Sequence, residues 1–175
     1  AAIPEDPHVD VISGVSGFVL SALALERVLP RDVTRAAIRA GVNRLLARAE
    51  RHGDGLAWTT TVEARQPLTG LSHGASGIAL ALFQAGGFHE DRATTDAALD
   101  ALRYERGTID PRHSNWPDYR ILGNEPAPEV PPFMWTWCLA HVDDADVRAD
   151  LRMALGSTSG SAFGANDSLC HGDLG

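Results

Sequence analysis

Residues 72–87 read SHGASGIALALFQAGG. From Ala75 onward every turn of a helix through this stretch is apolar or small, so a helix here has no face for water and has to be enclosed. Gly74 and Gly77 stand three apart, on one face of the first turn, where two missing side chains let another backbone approach. The same G-x-x-G spacing opens a second apolar run at Gly14–Gly17, GVSG before FVLSALALERVLP, which Pro30 ends. It recurs as GDLG at Gly172–Gly175.

Each of the first two apolar runs is followed by an amphipathic one. VTRAAIRAGVNRLLARAERH follows the first, with Asp32 placed to cap it. Its expected stripe is Val33, Ala36, Ala37, Ala40, Leu45 and Ala49, against an arginine-rich outer face. GDG at Gly53–Gly55 stops it. AWTTTVEA is a short extended piece. EDRATTDAALDALRYERG is the amphipathic partner of the second apolar run. From Thr108 to Pro132 the prolines forbid regular helix, and DDADVRADLRMAL is one more amphipathic helix, followed by a Gly/Ser loop. Inner apolar helix, outer amphipathic helix and a repeated glycine lead-in predict an all-α fold, an incomplete α/α toroid of at most four helical pairs.

Composition narrows the function. A chain of 175 residues is one domain's worth, and the expectation is a single partial domain spanning 1–175. Net charge −8 argues against nucleic acid, which needs a basic stripe. All 15 basic residues are arginine, which removes Schiff-base chemistry and a phosphate-loop lysine. No apolar run reaches the length of a membrane span. The opening AAIPEDPHVD lacks an initiator Met and a signal peptide, and reads as a segment of something longer. With two cysteines, Cys138 and Cys170, the expected compartment is a reducing cytoplasm.

Five motifs, in order, carry a resemblance: DVISGVSG (Asp10–Gly17), GLSHGASGIALAL (Gly70–Leu82), YERGTIDPRHSNWPDYR (Tyr104–Arg120), WTWC (Trp135–Cys138) and NDSLCHGDLG (Asn166–Gly175). The chain resembles the lanthionine synthetase C-like family, most closely the C-terminal cyclase domain of class II bifunctional lanthipeptide synthetases. That resemblance implies a toroid of seven inner and seven outer helices and a zinc-dependent cyclase. Such an enzyme adds a peptide cysteine to dehydroalanine or dehydrobutyrine, closing lanthionine thioether rings. The implied zinc ligands are Cys138, Cys170 and His171. His73 and Asp10 are the implied acid/base pair, and no cofactor besides zinc is expected. The implied partners are a precursor peptide and, in a full-length relative, an upstream dehydratase domain.

Zinc chemistry agrees with those residues. Two thiolates and an imidazole plus one open position make a catalytic zinc set. A substrate thiol at that position would be held as thiolate, the competent nucleophile. Its attack on a dehydro residue leaves an enolate that His73 would protonate, with Asp10 orienting the ring. Other readings of the same residues are buried structural cysteines, a helix-cap histidine at His73 and a helix cap at Asp10. The sequence also departs from the family. WTWC runs straight into LAHVDDADVRADLRMAL, without the glycine lead-in and inner helix expected there, so 31 residues separate Cys138 from Cys170. The alternative function is therefore a degenerate, non-catalytic helical remnant that binds a peptide. A hydrolase using Asp110 and Asp118 is a third reading, drawn from paired carboxylates on other α/α toroids.

Overall fold

A computed structural model describes residues 3–112, 116–117, 119–122, 125–126 and 145–160. Among them, five α-helices dominate: α1 (Val15–Val28), α2 (Asp32–Ala47), α3 (Ala75–His89), α4 (Arg92–Gly107) and α5 (Ala145–Gly160). Two small antiparallel hairpins, β1 (Glu50–His52) with β2 (Gly55–Ala57) and β3 (Ile121–Leu122) with β4 (Glu125–Pro126), interrupt them. The helical class read from the sequence holds at this level. No helix among the described residues is long and apolar enough to cross a membrane.

The centre of the molecule is α3. Ile78, Ala79, Ala81 and Leu82 are fully buried, and Ala75 through Phe83 form an unbroken buried run. The helix packs on α1 on one side and α4 on the other. Burying each large side chain contributes about 1.5–3 kcal/mol, so α3 anchors the core although its own sequence has no amphipathic signal. Glu90, at left-handed φ 54°, ends it, and Asp91 then caps α4 by accepting from the Ala93 and Thr94 amides.

The two helical pairs are copies of one unit sixty residues apart: α2 starts at Asp32 and α4 at Arg92, and they end at Ala47 and Gly107. The lead-in loops share two backbone bonds. The Val15 amide donates to the His8 carbonyl at 3.0 Å, as Ala75 does to Leu68 at 3.0 Å. Gly17 N–H donates to the Asp10 carbonyl at 3.4 Å, and Gly77 to Gly70 at 3.2 Å. The outer helices match as well, because an indole N–H reaches the carbonyl of Leu45 from Trp58 (2.7 Å) and that of Glu105 from Trp116 (3.0 Å).

Several local expectations need correction. The buried face of α2 is Thr34, Ile38, Gly41, Val42 and Leu45, while Val33 is 74% exposed and Ala36 is exposed. Leu45 belongs to both stripes, but Thr34, Ile38 and Gly41 each lie one residue, or about 100°, from the positions expected. The close approach of α1 sets this rotation: a Cβ on Gly41 would lie 2.5 Å from a Val19 methyl, so the glycine marks the contact line. Asp32 is not the cap. Arg31 occupies that position, and the Glu26 carboxylate of α1 accepts from the Arg31 amide (3.0 Å) and from Arg35 Nε (2.5 Å). Helix α2 also ends earlier than expected, and Glu50–His52 turn through Gly53, at φ +57°, into the first hairpin. Helix α1 is not enclosed on all sides. Phe18, Leu25 and Val28 are 41%, 50% and 83% exposed, and Phe18 and Leu25 border, with Val33 and Ala37, a cavity of about 300 Å³ between α1 and α2. Helix α5 runs on into the Gly/Ser stretch as far as Gly160, since serine and glycine lower helix propensity without forbidding it. It is tied to α4 by Arg106, whose Nε donates to Asp150 at 2.7 Å.

Candidate functional site

The lead-in loops of α1 and α3 meet. Ser72, next to His73, accepts with its carbonyl from the Val11 and Ile12 amides, at 3.2 and 3.4 Å, so the two loops are joined through backbone. This junction sets a carboxylate from one copy of the repeat beside an imidazole from the other. Asp10 Oδ2 and His73 Nδ1 are 2.8 Å apart.

The pair is oriented from the aspartate outward. The Asp10 side chain is 1% exposed and His73's is 17% exposed. Asp10 Oδ1 accepts from the Ser13 amide at 2.8 Å and from its hydroxyl at 3.1 Å. Burial works against the charge on Asp10, but the bonds from His73 and Ser13 outweigh it and hold the carboxyl below the ordinary aspartate range. An ionised Asp10 accepts only, so His73 Nδ1 carries the shared hydrogen and Nε2 is the nitrogen left for other work. Asp10 is not the cap of α1: Gly14 holds that position, with no side-chain cap bond.

The loop of His73 is held from beneath by α4. Glu105, 1% exposed, accepts at Oε1 from the Gly70 amide (2.7 Å) and the Ser76 amide (2.8 Å), and at Oε2 from the Ser76 hydroxyl. Burial pushes its pKa upward against these three donors. The neighbouring Tyr104 hydroxyl donates to the Pro67 carbonyl, and Thr69 Oγ1 donates to the Pro117 carbonyl at 3.1 Å. Tyr104, Glu105 and Pro117, all within the Tyr104–Arg120 motif, therefore cradle the histidine loop. Sequence reasoning assigned no task to Glu105 or Ser13. The signal for Glu105 was present, as a carboxylate in register with Ala98, Ala101 and Leu102 on the buried face of α4.

Other candidates fall differently. Asp110 forms an ion pair with Arg112, 2.7 Å from Oδ2 to the guanidinium. Asp118, Cys138, Cys170 and His171 lie outside the described residues, as does the third G-x-x-G. Among the described residues, no group of three or more His, Cys, Asp or Glu side chains is placed to hold a metal ion.

Compared with known proteins, residues 2–175 match the sequence model for lanthionine synthetase C-like protein. No curated protein matches the chain. A paired aspartate and histidine across two G-x-x-G lead-ins, with a match over nearly the whole length, leads to one conclusion: the chain belongs to the lanthionine synthetase C-like family.

Proposed function

We propose that this chain is a lanthipeptide cyclase domain of the class II type, adding a peptide cysteine to dehydroalanine or dehydrobutyrine to form a lanthionine thioether. The observation that carries the reading is the Asp10–His73 bond of 2.8 Å, which gives His73 a fixed ring and a defined tautomer. Family membership supports the reaction class. The sixty-residue copy of an inner and an outer helix supports placing both pairs within an α/α toroid.

Cys138, Cys170 and His171 form a donor set that fits zinc, two thiolates and one imidazole, and these residues would hold it. When bound there, zinc supplies a substrate thiol held as thiolate at neutral pH. The remaining chemistry belongs to the chain. As sulfur bonds to the β-carbon, the alkene electron pair moves toward the carbonyl and an enolate forms. The proton the thiol gives up passes to His73 Nε2 while Asp10 holds Nδ1, and Nε2 then delivers it to the α-carbon. Asp10 keeps that nitrogen free by occupying the other one. The lead-in loops of α1 and α3 meet at this junction, and the helix N-termini that follow them would add a favourable field for the developing anion. The precursor peptide is the substrate, and a dehydratase activity has to supply it in dehydrated form.

Zinc stoichiometry of the purified chain and of a Cys170→Ala variant, with cyclisation of a dehydrated peptide followed by mass spectrometry and thiol alkylation, tests the reading. About one zinc per chain, lost in the variant together with ring formation, is the expected result. A chain that holds no zinc and closes no ring would be a peptide-binding scaffold at most.

A further inference from the structure

We infer that Glu105 is the positioning residue of the Asp10–His73 pair, acting through the loop that carries the histidine. The repeat contains its own comparison. Position 45 of α2 corresponds to position 105 of α4, and each backbone carbonyl there receives an indole N–H. In the first copy the residue is Leu45, fully buried and apolar, and the loop above it carries Ser13 where the second carries His73. That loop is held by local bonds, Ser16 Oγ to the Val9 carbonyl at 2.6 Å and Asp10 to Ser13. In the second copy a carboxylate replaces the leucine, and it spans the base of the loop from Gly70 to Ser76.

A carboxylate at an apolar core position is costly unless its bonds are made, and here the bonds it accepts come from Gly70 and Ser76 of the histidine loop. Both amides converge on one oxygen, which fixes the distance between the two ends of the loop. With the ends fixed and Ser72 bonded to Val11 and Ile12, the path of His73 between them is set from both sides. The backbone of Glu105 is fixed in turn, because its carbonyl accepts from Thr108 Oγ1 at 2.7 Å and from Trp116 Nε1 at 3.0 Å. The Glu105 side chain bonds to Gly70 and Ser76 and not to the His73 ring. It sets where the ring stands.

The inference rests on the proposed role of His73, and its test is read without turnover. The probes, on the full chain, are the exchange rates of the Gly70 and Ser76 amides and the nitrogen-bound proton resonance of His73 Nδ1. Glu105→Asp shortens the arm by one methylene. Exchange at Gly70 and Ser76 should rise about tenfold, the loss of roughly one net hydrogen bond, and the His73 resonance should broaden away. Glu105→Gln keeps an acceptor at the same reach and should preserve both signals. The Ile38 and Val42 amides of α2 should stay unchanged in both variants. Unaltered Gly70, Ser76 and His73 signals in Glu105→Asp would overturn the inference. Should that variant unfold, as the α2 amides would report, Ser76→Ala removes the hydroxyl donor alone. It should then accelerate exchange at Gly70 about threefold, on the same hydrogen-bond scale, and no acceleration would overturn the inference as well. A His73→Asn variant that still cyclised peptide at the full rate would remove the acid role and leave the hold of Glu105 on the loop standing.

Discussion

A methyl group on Gly77 would lie 2.0 Å from the carbonyl oxygen of Leu71. The first copy repeats the relationship, with Gly17 beneath the Val11 carbonyl at the same 2.0 Å. Both contacts are to backbone, which cannot swing aside. Gly17→Ala and Gly77→Ala should therefore each destabilise the fold by about 1–3 kcal/mol. Gly87, in the same helix as Gly77 but with nothing within 4 Å of its Cβ direction, is the control. Gly87→Ala should be neutral or stabilising by about 0.5–1 kcal/mol. Urea denaturation of the three variants checks the order.

Asp10 should give the fold an acid-sensitive component. Its bonds to His73 and Ser13 overcome burial and leave its folded pKa below the ordinary 3.8. A depressed pKa means that the stabilisation is present above that ordinary value and is lost as pH falls through the folded one. The stability gap between the native chain and Asp10→Asn should thus be full at pH 6 and shrink steadily below about pH 4. Chemical denaturation of both chains across that range measures it.

Glu105 should act with the opposite sign. Burial raises its pKa above the ordinary 4.5, so its contribution is complete below that value and falls as pH rises through the folded one. Glu105→Gln, which keeps the acceptor without the charge, should gain on the native chain as pH increases and be at least as stable at neutral pH. The same denaturation series shows whether the two curves cross in this direction.

In peptide cyclisation the two members of the pair should separate by role. His73→Asn removes the proton donor and should lower kcat about 10²–10⁴-fold with little change in KM. Asp10→Asn leaves the ring but not its fixed tautomer, so its loss should be smaller, and its pH–rate profile should shift while that of Ser13→Ala stays close to native. Steady-state kinetics across pH distinguishes these outcomes.

Much of this was legible in the chain before any coordinates. The apolar run from Ala75 to Phe83 has no face for water, and it proved to be the enclosed centre. The G-x-x-G lead-ins marked the two loops that meet. The rotation of α2 was not legible, because alanines at 36, 37 and 40 and a valine at 33 mimic a core stripe. The true contact runs through Thr34, Ile38 and Gly41, two of them weak hydrophobic signals. The hairpin after α2 was hidden by helix-compatible residues, Ala49 to Arg51, and is imposed by the close approach of Gly55 to the Tyr104 backbone. The Glu105 cradle escaped notice because a carboxylate on an amphipathic helix is ordinarily assigned to solvent. Only the arrival of the Gly70 and Ser76 amides, 35 and 29 residues away in the chain, gives it a reason to be inside.

The duplicated unit has a consequence for the pair it carries. One copy supplies the aspartate and the other the histidine, so neither holds the pair by itself. The pair belongs to the seam between the two lead-in loops. Loosening that seam would part the two side chains without altering either residue.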